Sequence, residues 1–196
     1  FAIPRQNSPM LAFFTIFDAD GTGHQAPGMA VSYDYTRFGY YDQNPLILHE
    51  EKGFRDPHVF FHAESGRYIM AIAIADQRKV GFYGSKDLKT WEHLSDFGPV
   101  GAQSQVWECP DLFQMEVDGD PNHRKWVMLL GMGPNTEQYF VGDFDGEKFT
   151  LDPAASAYLL RGEGLEGEVF ADFENGLPED WTAQGDPLMV GAGETL

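Results

Sequence analysis

Two stretches 53 positions apart repeat one pattern. Phe54-Arg55-Asp56-Pro57-His58-Val59-Phe60 and Trp107-Glu108-Cys109-Pro110-Asp111-Leu112-Phe113 both read aromatic, two polar positions, proline, polar, aliphatic, phenylalanine. A second signal follows the same register. Val31-Ser32-Tyr33-Asp34 with Phe38, Tyr83-Gly84-Ser85-Lys86-Asp87 with Trp91, and Val141-Gly142-Asp143-Phe144-Asp145 with Phe149 each end an apolar run at an Asp turn, with an aromatic four residues on. The Asp positions are spaced by 53 and then 58 residues. Self-similarity at roughly 50 residues, with about four strand-like runs per unit, is the signature of a β-propeller blade. Halves of a hairpin-rich β-sandwich are the alternative, and the repeat period decides for the propeller.

The runs themselves are short and bounded by turn residues: 10–17, 29–33, 58–62, 67–75, 80–85, 111–115, 125–132 and 139–144. Helical periodicity is nearly absent, while 22 Gly and 12 Pro are spread throughout, so the expected class is all-β. Each unit opens with the strand that carries Arg55-Asp56-Pro57 or Glu108-Cys109-Pro110. In a propeller that first strand lines the central channel, and each of the two slots holds a carboxylate. Residues 1–160 are expected to form a partial propeller of about three blades. The Gly- and Glu-rich 161–168 reads as a linker, and 169–196, with strand-like runs at 169–174 and 181–183, as the start of a β-sandwich or inserted domain.

The formal charge of −18 and a pI near 4.4 argue against nucleic acid or an anionic membrane surface and suit a neutral ligand such as a carbohydrate. No apolar run is long enough to span a bilayer. The single cysteine allows no internal disulfide. The chain opens at Phe1 without an initiator Met and stops soon after a new segment begins, so a piece of a longer protein is expected.

Asp56 follows Arg55, whose guanidinium would favour an ionised carboxylate and reach ligand hydroxyls. Glu108 lies between Trp107 and Cys109 with no basic neighbour in sequence, a setting expected to be apolar and to favour a protonated acid. One ionised and one protonated carboxylate is the division of labour that glycoside hydrolysis uses. Other candidates are weaker. Asp18-Ala19-Asp20-Gly21-Thr22-Gly23 lacks the closing Glu of a calcium loop and reads as an acidic hairpin tip. His58 and His62 have no metal-ligand spacing and read as structural. Neither a nucleophile elbow nor a phosphate loop is present.

At these residues the chain resembles glycoside hydrolase family 32, the invertases, inulinases and levanases. The resemblance rests on Phe54-Arg55-Asp56-Pro57, Trp107-Glu108-Cys109-Pro110, Lys86-Asp87-Leu88-Lys89-Thr90-Trp91 and Gln138-Tyr139-Phe140-Val141-Gly142-Asp143-Phe144-Asp145-Gly146, in the family's order across about 10–150. It implies a five-bladed β-propeller followed by a β-sandwich, of which this chain holds most of the second to fourth blades. It also implies hydrolysis of β-fructofuranosyl linkages with retention and without a cofactor. Glu108 would then be the general acid/base and Asp56 the stabiliser of the transition state. Arg55 and Asp56 would bind substrate, and Cys109 would tune the acid. The nucleophile of the family's Trp-Met-Asn-Asp-Pro-Asn-Gly motif, and its Phe-Ser-Gly-Ser segment, are not in this sequence.

The resulting expectation is a fragment of a retaining β-fructosidase acting on sucrose, inulin or levan, with fructose-containing oligo- or polysaccharides as partners. The family suggests an extracellular or periplasmic location. The rivals are a non-catalytic carbohydrate-binding propeller, and a related fructosyltransferase or arabinan hydrolase.

Overall fold

The computed structural model describes residues 8–18, 21–133 and 136–153. The chain divides into compact units Phe1–Arg161 and Gly162–Leu196, and all the described residues belong to the first. The expected linker at 161–168 and β-domain at 169–196 lie outside the described residues.

Eleven strands make up the described part: β1 (Met10–Ile16), β2 (Ala26–Ser32), β3 (Gly39–Tyr40), β4 (Phe54–His62), β5 (Arg67–Ile74), β6 (Lys79–Ser85), β7 (Glu92–Phe97), β8 (Glu108–Val117), β9 (Asp120–Gly131), β10 (Glu137–Phe144) and β11 (Phe149–Leu151). A 3-10 turn at Ala75–Gln77 joins β5 to β6. The strands form three antiparallel meanders, β1-β2-β3, β4-β5-β6-β7 and β8-β9-β10-β11. The all-β expectation holds, and each apolar run coincides with a strand. The edge strands β3, β7 and β11 carried no such run. An edge strand is solvated along one side, so a segment such as Glu92-His93-Leu94-Ser95 needs no apolar alternation to pair.

The middle sheet is covered on both faces, which explains the unbroken apolar reading of β5. Ile69 and Ala71 face the third sheet in a cluster with Phe82, Phe97, Trp107, Leu112, Met128, Phe140 and Phe144. Met70, Ile72 and Ile74 face the other way, with Phe54 and Tyr83, onto Phe13 and Leu46 beside the first sheet. A strand buried on both faces cannot alternate with polar residues without burying them unpaired.

The recurring Asp closes the outer hairpin of every sheet by the same chemistry. Asp34 Oδ1 accepts from the N–H groups of Thr36 and Arg37 at 2.9 and 2.8 Å. Asp87 Oδ1 accepts from Lys89 and Thr90 at 2.9 and 2.8 Å, and Asp145 Oδ1 from Glu147 and Lys148, both at 2.8 Å. Short acidic side chains are suited to this turn because they reach their own backbone two and three residues on. Ser32 and Ser85 also donate to the first two of these carboxylates; the matching Asp143 instead pairs with Lys125 at 2.9 Å. In the third turn Gly146, at φ 91°, sits against the β4–β5 hairpin, where a Cβ would come within 2.7 Å of His62 Nδ1. The aromatic that follows packs inward in two sheets, Trp91 on Phe13 and Phe149 on Phe97, while Phe38 stays exposed.

The N–H groups of Arg37 and Thr36 hold the Asp34 carboxyl down at about 2, from an ordinary 3.8. A carboxyl depressed on folding contributes stability above its unfolded value and loses it as pH falls through the folded one. Asp34→Asn is therefore expected to lower Tm at pH 6, and the gap to the wild type should close as pH falls from 3.8 to about 2. Thermal unfolding followed by circular dichroism across that range checks it; a pH-independent gap would leave the charge without a role.

Candidate active site

The two repeated motifs form the same backbone device. On β4, Arg55 pairs with Ala73 and His58 with Ala71, so Asp56 and Pro57 stand opposite Ile72 alone. On β8, Glu108 pairs with Gly131 and Asp111 with Leu129, so Cys109 and Pro110 stand opposite Leu130 alone. Each is a β-bulge with one extra residue, and its first inserted residue is left-handed: Asp56 at φ 61° and Cys109 at φ 46°. Proline suits the second place, because the ladder is interrupted there and a missing N–H costs nothing.

Aligning the bulges corrects the sequence reading in one respect. The carboxylates do not share one position: Arg55 corresponds to Glu108, and Asp56 to Cys109. They meet because the groups reach across between sheets. Arg55 Nη2 donates to Glu108 Oε1 at 2.8 Å, and its Nε lies 3.7 Å from Asp56 Oδ2. Asp56 Oδ2 in turn accepts the backbone N–H of Cys109 at 3.0 Å and faces the Cys109 thiol at 3.7 Å. Asp56, Arg55, Glu108 and Cys109 are thus one connected group. Arg55 and Asp56 are 17% and 25% exposed and Glu108 36%, which leaves them anchored yet open to a ligand.

The apolar setting expected around Glu108 is not what the fold builds. The nearest residue in sequence, Trp107, is fully buried in the core, its Nε1 bonded to Ala102 O and its ring packed against Phe140. The basic neighbour missing from the local sequence arrives from the next sheet as Arg55. Two further residues were invisible to motif reading. Thr15 on β1 accepts the Asp56 N–H at 2.9 Å and donates to Asp56 Oδ1 at 3.4 Å, and Gln25 Oε1 accepts from Arg55 Nη1 at 3.0 Å. An open cleft runs past Asp56 and Cys109, walled by Phe13 and Phe14 and by the His58–Asp111 pair at 3.1 Å. His62 is buried between Trp126 and Phe144, in keeping with a structural role. Asp18 closes its own turn on Gly23 N, and Asp20 lies outside the described residues.

Residues 2–168 match the family model described as glycosyl hydrolases family 32 N-terminal domain. The chain belongs to glycosyl hydrolase family 32. Among relatives of this family 32 chain, the levanase of Bacillus subtilis (strain 168) is 41% identical over 170 residues, covering 82% of this chain and 24% of the levanase. The crystal structure of exo-inulinase from Aspergillus awamori superposes with a TM-score of 0.68 at 34% identity, over 76% of this chain and 34% of that one. Fructofuranosidase from Schwanniomyces occidentalis, complexed with fructose, gives 0.66 at 35% identity over 72% and 28%. The family 32 chain thus spans about a quarter of the length of the curated levanase.

Burial pushes the Cys109 thiol above its ordinary value, and the charge and hydrogen bond of Asp56 push it further the same way. Less thiolate is present at a given pH, so alkylation should be slow. Iodoacetamide labelling at pH 8 is expected to run several-fold below a free-cysteine standard and to speed up in Asp56→Asn. Equal rates in the two proteins would detach Asp56 from the thiol.

Proposed function

We propose that this chain is part of a retaining glycosidase that cleaves β-fructofuranosyl linkages in sucrose, inulin or levan. Its three sheets would be the second to fourth blades of a five-bladed propeller. The observation that carries this reading is Arg55 linking Glu108 to Asp56 across two bulges 53 residues apart. Glu108 donates a proton to the departing glycosidic oxygen through Oε2, since Arg55 engages Oε1. It then takes a proton from the water that releases the fructosyl group. Asp56, steadied by Thr15 and by the Cys109 N–H, accepts from ring hydroxyls as positive charge develops at the anomeric carbon. Arg55 lies beside the sugar, and Cys109 adjusts the setting of the acid. The attacking carboxylate belongs to a segment of the whole protein outside this sequence, about 5–5.5 Å from Glu108 in a retaining geometry. The levanase and exo-inulinase likenesses, and the fructose held by the Schwanniomyces enzyme, support a fructose-containing substrate.

In the full-length protein, Glu108→Gln is expected to lower kcat on inulin, levan or sucrose by about 10²–10⁴-fold, the range of lost acid–base assistance. Asp56→Asn should lose turnover with little change in Tm. Fructose release measured by chromatography checks both. Wild-type rates in Glu108→Gln would end this reading, and fructan binding without any release by the unmodified protein would make it a binding module.

A further inference from the structure

Gln25 belongs to none of the motifs, yet its contacts give it a specific place in the site. Its backbone N–H donates to Lys52 O at 2.9 Å, which ties the start of β2 to the segment leading into β4. Its side chain accepts from Arg55 Nη1 at 3.0 Å, while Nη2 of the same guanidinium donates to Glu108 and Nε points at Asp56. A guanidinium is planar and its N–H groups leave in a fixed fork, so holding one arm sets the direction of the others. Without that third anchor, Arg55 would stand on a long rotatable stem between two carboxylates, free to pair with either.

We propose that Gln25 is a positioning residue for the fructosidase reaction, locking the plane of Arg55 so that it engages Glu108 Oε1 and keeps its distance from Asp56. This inference rests on the functional reading above. It explains why Arg55 approaches Glu108 to 2.8 Å but Asp56 only to 3.7 Å. Asp56 keeps acceptor capacity for sugar hydroxyls, and Glu108 keeps Oε2 for the leaving oxygen. The amide also matters chemically. It is a neutral acceptor that orients Arg55 without cancelling the positive charge shared by the two carboxylates. A carboxylate at this place would become a third claimant on one cation.

The test uses the full-length protein with sucrose and inulin, comparing Gln25→Met, Gln25→Glu and Glu108→Gln. Gln25→Met keeps the side-chain length without the acceptor, and should lower kcat by about tenfold to a hundredfold with KM within about threefold. Gln25→Glu keeps the shape and adds a negative charge that opposes proton release by the acid. The alkaline limb of its kcat profile should therefore move up by about one pH unit. The position of that limb is read on whatever fraction is folded, so partial unfolding does not imitate the shift. An unmoved limb in Gln25→Glu, or a Gln25→Met loss confined to KM, overturns the inference while a large loss in Glu108→Gln leaves the functional reading intact. Wild-type turnover in Glu108→Gln removes both.

Discussion

The site depends on how each bulge disposes of the N–H that it takes out of the ladder. At the part-buried Asp56 an N–H without an acceptor costs about 1–3 kcal/mol, and at either bulge a left-handed non-glycine residue costs about 1–2 kcal/mol. In each bulge the N–H is taken up by a side chain from the preceding sheet, while the left-handed backbone remains. Thr15 takes the Asp56 N–H, and the carboxylate of Asp56 takes the Cys109 N–H. The two strained backbones are therefore linked in series, and the group that stabilises the second bulge is the side chain displayed by the first.

That arrangement needs neighbouring sheets fixed relative to β4 and β8, and the packing provides it. Met70 to Ala75 of the middle sheet are almost wholly excluded from solvent, wedged between a cluster toward the first sheet and a larger one toward the third. At the far end of β4 from the bulge, the hairpin that follows His62 meets the turn at Gly146, and Arg67 and Ser95 bond to Glu147. The second and third sheets are thus joined at both ends of their inner strands, with the polar group at one end and a closed turn at the other.

How much of this could be read from residues alone follows from how local each cause is. Strand positions, the period and the Asp turns were legible because alternation and the Asp-to-backbone bond are settled within a few residues. That the two carboxylates belong together was legible too, since Asp56 and Glu108 both meet Arg55. Their relation was not. Counting from proline sets Asp56 level with Cys109 and Arg55 level with Glu108, but only the structure shows that Arg55 then reaches over to Glu108. Trp107 misled for a similar reason: the nearest residue in sequence turned into the core, and the true neighbour of Glu108 came from 53 residues away. Thr15 and Gln25 belong to contacts spanning 41 and 30 residues, for which no local pattern exists.

The bulge has a consequence for how such a protein can change. A regular strand presents alternate residues to one side, and a new function at one position disturbs a single group. Here the same backbone turn accepts Arg-Asp in one sheet and Glu-Cys in the next, because the extra residue, its left-handed twist and the proline after it do not depend on which polar pair is displayed. Shape and chemistry are separable at these two places. A different polar pair could be displayed at either place while the surrounding sheets kept the same fit.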